Sequence, residues 1–381
     1  MQKKLIALAV AGLLSAPAFA QSNVTVYGTI DFGYVSLGSN DGRLRDGSRI
    51  KNRNAIESGV SKVNTLGFKG VEDLGNGLKA VFVLEDGIEG DMEGLLKGNA
   101  SQSYAALAGG FGTLAFGRHY TPQHLFTSAV DPFGKDGLGS AANVLIQDWR
   151  LNNLAAYISP NWGGFSFIVG GTWNGLADEG IENDGDARVW AFAPSFTWDK
   201  LFVGANYHAA KLNYAHAKNE SVFNVLDLYS SYDFGFVKLG ATVGRRTTKK
   251  GIAGGGNDAK LTQWMLGATF KITPSDSILT SYSRASENKE RGVRGSNPRI
   301  GQFAIGYEHA LSKRTVLYSQ FAVQQHNKPY KSGGFRSFET DATVGYVGAS
   351  NLRGGYNPPY YEPSGSAGYR RGFAVGFRHD F

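Results

Sequence analysis

The chain has 381 residues and no cysteine, so disulfides do not contribute to its stability. It contains 52 glycines, 13% aromatic residues and a formal net charge of +7. Beyond the first 20 residues, no apolar run reaches the roughly 18 to 20 residues that a membrane-spanning helix needs. Composition therefore excludes a disulfide scaffold and a helical membrane protein, and leaves a soluble secreted protein or a membrane β-barrel.

Residues 1–20 carry the three parts of a secretory signal peptide. Lys3 and Lys4 precede an apolar run from Leu5 to Leu14, and Ala20 ends a small-residue cleavage motif. The apolar run is too short to anchor the chain in a bilayer. We therefore expect residues 1–20 to be removed on export and residues 21–381 to form one domain.

Alternation of apolar with polar or small residues dominates the rest of the chain. In the first segment, Val24, Val26 and Ile30 alternate with Thr25 and Thr29, which gives a strand with one apolar face. This two-faced pattern is typical of membrane barrels. It predicts sixteen strands, over residues 24–37, 60–71, 78–86, 101–109, 112–119, 150–158, 164–174, 187–198, 201–210, 221–232, 236–246, 260–271, 277–286, 299–309, 315–325 and 370–381.

The connections between these strands alternate between short and long. Glu72 to Gly77 and Asp233 to Gly235 are short turns, whereas Gly175 to Asp186 and His326 to Tyr369 are long, polar links. Outer-membrane barrels show this asymmetry, with the short turns on the periplasmic side. The sequence therefore predicts an all-β fold, a 16-stranded antiparallel transmembrane β-barrel.

One stretch without a strand pattern interrupts this series. After the hairpin of residues 102–119, about 30 residues from Tyr120 to Asp148 show no alternation, and segments of that length are commonly functional. We expect this loop to fold into the lumen and narrow it. At the other end of the chain, Phe373, Val375, Phe377 and Phe381 share one face of a last strand that must pair with the first to close the sheet.

Several motifs resemble those of the Gram-negative general porins, in particular the neisserial and burkholderial type. They are VTVYGTID (24–31), LGFKGVEDLG (66–75), GLKA (77–80), GGFGT (109–113), GR (117–118), NWGGF (161–165) and VGFRHDF (375–381). The resemblance implies a sixteen-stranded barrel, usually a homotrimer, whose third extracellular loop folds inward to form a charged constriction. It implies passive diffusion of ions and small hydrophilic solutes across the outer membrane, with no cofactor, and a C-terminal Phe381 that the barrel-assembly machinery reads.

The resemblance also implies which residues line the constriction. Arg118 stands in the place of the family's arginine before the third loop, and Arg150 in that of the arginine ahead of the next strand. Asp131 and Asp136 stand in the place of the acidic partners on the inward loop. Many relatives carry a further arginine where this chain has Thr65, so its ring of positive charge is expected to be weaker or wider.

Strand parity bears on these assignments. Arg118 shares the parity of the outward-facing Phe116, so it reaches the lumen only if a bulge at Gly117 shifts the register. Arg118 and Arg150 then either create a field across the gap or only hold the loop down. The predicted pore-wall residues, which have the parity of the lumen, are Lys69, Lys79 and Glu85.

Net charge and the distribution of basic residues favour a mild anion preference. Much of the positive excess falls in candidate external loops, which here include Arg245 and Arg246. The same basic residues are candidates for binding lipopolysaccharide phosphates or for simple solvation, because exposed charges are screened within about 10 Å.

Other functions have less support in the sequence. No enzyme is expected, because the chain lacks G-x-S-x-G, H-E-x-x-H and cysteine. His119 and His124 have no fixed carboxylate pair beside them, so no metal site is predicted, and the scattered basic residues do not predict nucleic-acid binding. Two alternatives stay open: a barrel plugged by its loops, and a channel specific for an organic acid or sugar, bound through Gln123, Gln147 or Trp149.

Overall fold

The computed structural model describes residues 23–38, 52–88, 90, 96–134, 136–145, 150–173, 186–213, 220–249, 259–288, 299–326 and 371–381. The predicted signal peptide, residues 1–20, lies outside the described residues, as do Gln147 and Trp149. Within the described parts, no helix is long and apolar enough to cross a membrane.

One antiparallel sheet accounts for almost all of the described chain. Its segments are β1 (Asn23–Gly38), β2 (Arg53–Ser58), β3 (Thr65–Gly75), β4 (Leu78–Ile88), β5 (Leu96–Gly109), β6 (Gly112–Tyr120), β7 (Arg150–Ile158), β8 (Phe165–Thr172), β9 (Asp186–Trp198), β10 (Leu201–Asn213), β11 (Glu220–Asp233), β12 (Val237–Lys249), β13 (Ala259–Lys271), β14 (Asp276–Asn288), β15 (Arg299–Ala310), β16 (Thr315–His326) and β17 (Arg371–Asp380).

The sheet closes into a barrel through the first and last strands. β17 pairs with one edge of β1, from Thr29 to Gly38. On the other edge of β1, β2 pairs with Phe32 to Leu37 and β3 pairs with Asn23 to Thr29. Because β2 and β3 share that edge, together they occupy one strand position. The barrel therefore has sixteen strands, as predicted.

The break between β2 and β3 corrects the sequence prediction, which began a strand at residue 60. The buried carboxylate of Asp31 accepts hydrogen bonds from the backbone N–H groups of Val60, Ser61 and Lys62, at 3.2, 3.0 and 2.7 Å. The Tyr318 hydroxyl donates to the same carboxylate at 2.6 Å. These three residues therefore turn toward the carboxylate instead of extending the strand.

The two faces of the sheet differ as the alternation predicted. Large apolar side chains such as Val26, Leu228 and Leu266 are exposed on the outer face, whereas Asp31, Asp227 and other polar residues lie buried on the inner face. Outer-membrane barrels carry aromatic girdles at both interfaces. Exposed aromatic residues lie near the short turns (Trp162, Trp198, Phe234 and Phe236) and near the long links (Trp173 and Trp190).

The loop between β6 and β7, in which the sequence showed no strand alternation, is partly helical. Helix α1 (Pro122–Val130) begins after Thr121, whose hydroxyl accepts a hydrogen bond from the His124 N–H at 3.2 Å. Proline in the first turn favours a helix start because its missing N–H would have no partner there. A short 3-10 helix (Ala141–Asn143) follows further along the loop.

This loop packs against the inner faces of β10 to β17. Phe126 contacts the rings of Phe202 and Tyr229, and Lys238 donates to the Ala129 carbonyl in the last turn of α1 at 2.9 Å. A lysine at this position complements the negative end of the helix dipole. At the far end of the loop, the Gln302 side chain donates to the carbonyls of Gly139 and Ser140. The Gln320 side chain accepts a hydrogen bond from the Gly139 N–H. The loop therefore lies inside the barrel.

Glycines make room for the loop on these strands. A Cβ atom at Gly240, Gly267, Gly306 or Gly372 would lie under 3.0 Å from a loop atom, and one at Gly204 would be 3.1 Å from the Phe126 ring. We call the inner faces of β10 to β17, with these five glycines, the loop wall. The loop residues that they face are Phe126, Val130, Pro132, Phe133 and Leu138.

Candidate pore constriction

The inner faces of β3 to β7 form the opposite side of the lumen, which we call the arginine wall because it holds Arg118 and Arg150. β6 pairs with β5 without a register shift as far as Ser103 and Arg118, and the irregularity lies on the β7 side. Asn152 and Asn153 together lie opposite Arg118, and Asn153 has a φ of 50°. The pairing of β6 with β7 shifts register between Gly117 and His119. Gly117 has a φ of 134°, a value that side chains disfavour, and a Cβ there would collide with the Ser103 carbonyl.

The environment of Arg118 differs from that of the outward-facing Phe116. Phe116 remains exposed on the outer face, whereas Arg118 is half-buried. Its Nε donates to the Ala100 carbonyl at 2.5 Å, and its Nη1 donates to the Asn152 side-chain oxygen. The guanidinium group is thereby fixed between β5 and β7, within electrostatic range of Arg150.

Arg150 is buried at the first position of β7. Its Nη2 donates to the Tyr120 hydroxyl at 3.3 Å and to Ser101 Oγ at 3.5 Å. The guanidinium carbon lies 4.9 Å from the centre of the Tyr120 ring. A cation over an aromatic face is attracted to it, and Arg150 also interacts favourably with the carboxylates of Asp136 and Glu85. Arg150 thus connects the arginine wall to the loop electrostatically.

The two predicted acidic residues have different environments. Asp136 is buried in the loop, and its charge acts on Arg150. Asp131 instead accepts hydrogen bonds from the N–H groups of Phe133 and Ala141, at 3.0 and 2.7 Å, and from Ser140 Oγ at 3.3 Å. Burial raises the pKa of Asp131 to about 7, although these hydrogen bonds favour its charged form. Asp131 therefore holds the loop together internally.

The predicted pore-wall residues lie on the inner face. The hydroxyl of Tyr27 donates to Glu85 at 3.0 Å, and Lys69 Nζ lies 5.2 Å from the centre of the Tyr27 ring. These three side chains form a small cluster, in which Lys69 and Glu85 belong to the arginine wall and Tyr27 belongs to the adjacent β1. Lys79 is half-buried on the same face of β4, nearer the short turns.

Charged residues near the barrel seam were not predicted. Lys62 pairs with Asp380 at 2.7 Å, and Arg378 pairs with Glu308 at 3.4 Å. All four side chains are partly accessible. Strand parity gave a usable signal for Glu308 and Arg378. Lys62 had no such signal, because its direction depends on the contact of its backbone with Asp31.

A second unpredicted residue, Arg246, is buried on the inner face of β12. Its guanidinium carbon lies 4.3 Å from the centre of the Phe223 ring. Within the described residues, its Nε and Nη2 have no hydrogen-bond partner. The sequence analysis had included this residue both in the predicted strand 236–246 and among the basic residues of external loops, and the structure supports the strand. Both Arg245 and Arg246 belong to β12, and they point to opposite faces of the sheet.

A closed antiparallel barrel with an apolar exposed outer face, a charged lumen and a loop folded inside it belongs to the class of outer-membrane channels. The particular family follows from comparison with known proteins. The model of the Gram-negative porin family matches residues 7–329, and the chain belongs to this family.

Known relatives agree with this family over most of their length. The outer membrane porin protein 32 of Delftia acidovorans is 29% identical over 339 residues, which cover 84% of this chain and 89% of the relative. Among solved structures, an anion-selective porin from Comamonas acidovorans superimposes with a TM-score of 0.71 at 24% identity, covering 95% of this chain and all of that one. A trimer form of OmpT from Vibrio cholerae gives a TM-score of 0.65 at 13% identity, covering 94% of this chain and 99% of that one. The protein is therefore an outer-membrane porin.

Proposed function

We propose that this porin is a general diffusion channel with a mild anion preference, whose constriction lies between the arginine wall and the inward loop. Arg118 and Arg150 supply the positive side, and Asp136 supplies the negative side. Ions and small hydrophilic solutes pass down their gradients without a fixed binding site. Lys69, Lys79 and Glu85 line the wall below, where they add to the field.

The observation that carries this proposal is the convergence of the two arginines. Arg118 lies within electrostatic range of Arg150, and both guanidinium groups are held by hydrogen bonds to neighbouring residues. Two fixed like charges near each other raise the local concentration of counter-ions in a narrow aqueous gap. The similarity to a solved anion-selective porin supports the sign of the preference.

Export and assembly follow the family pattern in this proposal. Residues 1–20 act as a cleaved signal peptide, residues 21–381 form the barrel domain, and Phe381 is read by the barrel-assembly machinery. The chain assembles as a homotrimer, as supported by the trimer form of the OmpT structure. Its outer surface contacts lipopolysaccharide.

Single-channel currents of the purified protein in a planar bilayer test the general pore. We expect large steps that rise linearly with KCl concentration, together with a small reversal potential of anion-preferring sign in a KCl gradient. Added organic acids or sugars should reduce the current only slightly, by an amount that increases with the size of the solute. Saturating currents, or block by one solute at low concentration, would contradict a general pore.

A channel specific for an anionic solute is the second candidate, and Arg246 favours it. A buried guanidinium group with two unsatisfied nitrogens, stacked on Phe223, has the chemistry to bind a carboxylate. His208 lies two strands away in the same row of the register, through Val225 of β11, and Asn206 is the next inner position of β10. If organic acids block the current and Arg246→Gln abolishes that block while KCl conductance is kept, the specific channel is the better description.

A further inference from the structure

Basic side chains on the outer face of the barrel are unevenly distributed. At the end that bears the long links, the outward-facing basic residues are Arg188, Lys211, Arg245, Lys260, Arg284, Arg299 and Arg371, all on β9 to β17. The described outward side chains of β1 to β8 include no basic residue at this end. Because the long links are extracellular, this end of the barrel lies at the outer leaflet.

Four of these residues form a compact group, which we call the basic patch: Arg245, Lys260, Arg284 and Arg299. The strand register places Arg245 beside Thr262, Thr262 beside Ser286, and Ser286 beside Arg299. This row crosses four strands and is about 14 Å long, because neighbouring strands lie about 4.8 Å apart.

The remaining two cations complete the patch above and below that row. Lys260 is one outward position above Thr262, and Arg284 is one outward position below Ser286. Two hydroxyl groups are therefore surrounded by four cations. Among the outward side chains that the structure describes on these four strands, none at this end is acidic. Such a group of cations and hydroxyls is suited to phosphate oxygens.

An apolar groove of 640 Å³ begins directly below the basic patch. Its floor is made by small outward residues, Ala205, Ser230 and Ala241, and larger apolar side chains of β8 to β13 form its sides. Trp264 at its upper edge pairs across the strands with Arg284, and Val243 lies one outward position below Arg245. The groove and the basic patch are therefore continuous.

We propose that the basic patch and the groove form a binding site for a phosphorylated, acylated lipid of the outer leaflet, which in this membrane is lipopolysaccharide. The patch binds a lipid phosphate through Arg245, Arg284 and their neighbours, and the groove holds one acyl chain. Arginine pairs with phosphate through two parallel hydrogen bonds, so the three arginines of the patch dominate the contact. This inference rests on the outer-membrane location and is independent of the constriction.

Binding of fluorescent lipopolysaccharide to the folded protein in detergent tests this site. The patch variant is the triple substitution Arg245→Gln, Lys260→Gln and Arg284→Gln. The matched control removes the same number of outward charges elsewhere, through Arg188→Gln, Lys211→Gln and Arg371→Gln. We expect the patch variant to bind at least about tenfold more weakly and the control to bind almost as well as the native protein. Equal loss in both variants, or no loss in the patch variant, would overturn the site.

Modified probes distinguish the contributions of the lipid phosphate and of the acyl chain to binding. They also test whether a free anion binds at the same place. Dephosphorylated lipopolysaccharide should bind the native protein as weakly as intact lipopolysaccharide binds the patch variant. Ala241→Phe, which fills the groove without changing charge, should weaken binding of acylated but not of deacylated lipid. Inorganic phosphate at millimolar concentration should not displace the lipid, and displacement would reduce the patch to a simple anion site. Unchanged conductance and heat-modifiable mobility show that each variant is folded.

Discussion

The two sides of the lumen differ in what they offer a passing solute. The loop wall meets the loop through five glycines, and large apolar loop residues such as Phe126 and Leu138 fill the space above them. The arginine wall contacts the described part of the loop through the stacked rings of Tyr120 and His124, and it presents Arg118, Arg150 and the Lys69–Glu85 cluster to the lumen. The loop wall thus acts on the pore through its packing against the loop, and the arginine wall acts through its charged side chains.

This difference separates two properties that are often treated together. The width of the pore depends on how closely the loop approaches the loop wall, which the missing Cβ atoms decide. Ion preference depends on fixed charges across the gap, which act through water and need no contact. Substitutions on one wall should therefore change conductance, and substitutions on the other should change selectivity.

The seam between the walls gives the largest expected effect. Phe381 exchanges two backbone hydrogen bonds with Gly28, at 3.1 and 3.3 Å, and so extends the pairing of the last strand with the first. Deleting Phe381 should strongly reduce folded protein in the outer membrane, measured as heat-modifiable trimer on a gel. Phe377→Ala on the same outward face is the control and should assemble. Normal assembly of the deletion would contradict the proposed role of the C-terminal residue.

A wedge beneath the loop should change pore width. In Gly240→Val, the new side chain meets the Val130 carbonyl at the end of α1, and overpacking of this kind costs about 1–3 kcal/mol. We expect the loop to shift toward the arginine wall, so that single-channel conductance falls while the ratio of anion to cation permeability changes only slightly. Ala241→Val adds bulk to the adjacent outward position and should leave conductance unchanged. An unaltered current in Gly240→Val would show that the loop does not set the width.

A smaller effect should follow the charge state of Asp131. Its pKa is about 7 in the folded loop and near 3.8 in an exposed one, so the docked loop holds a proton that a released loop loses. Docking is therefore favoured at pH 5, and that contribution declines as pH rises toward 7. Conductance fluctuations should be more frequent at pH 8 than at pH 5, and Asp131→Asn should remove the difference. A pH dependence that survives in Asp131→Asn would assign it to another group.

Much of the fold could be predicted because alternation is a local property of the chain. The observed β7 (Arg150–Ile158) has the predicted bounds, and most other strands differ by a few residues at their ends. Residues 59–64 could not be predicted, because their course depends on Asp31 and Tyr318 from distant strands. Helix α1 did leave a local signal in Thr121 and Pro122, an N-cap residue followed by a first-turn proline.

The site was less predictable than the fold. A bulge at Gly117 was the stated condition for Arg118 to reach the lumen, whereas the structure places the extra residue in β7, where Asn152 and Asn153 lie opposite Arg118. The internal role of Asp131 and the buried position of Arg246 depend on contacts between segments that are far apart in sequence. The role of the loop-wall glycines could not be predicted either. Each glycine makes room for a loop residue only because the strand register places it beneath that residue.

Reversal potentials of Arg118→Ala and Arg150→Ala in a KCl gradient test the central claim most directly. A unit charge at about 8 Å through water shifts the energy of an anion and of a cation by about 0.5 kcal/mol each in opposite directions, and screening by about 0.1 M salt roughly halves both shifts. Each substitution should therefore lower the ratio of anion to cation permeability by about twofold. The outward-facing Arg371→Gln is the control and should leave that ratio unchanged. Reversal potentials that match those of the native protein in both variants would contradict the account, because the arginine wall would then not determine ion preference.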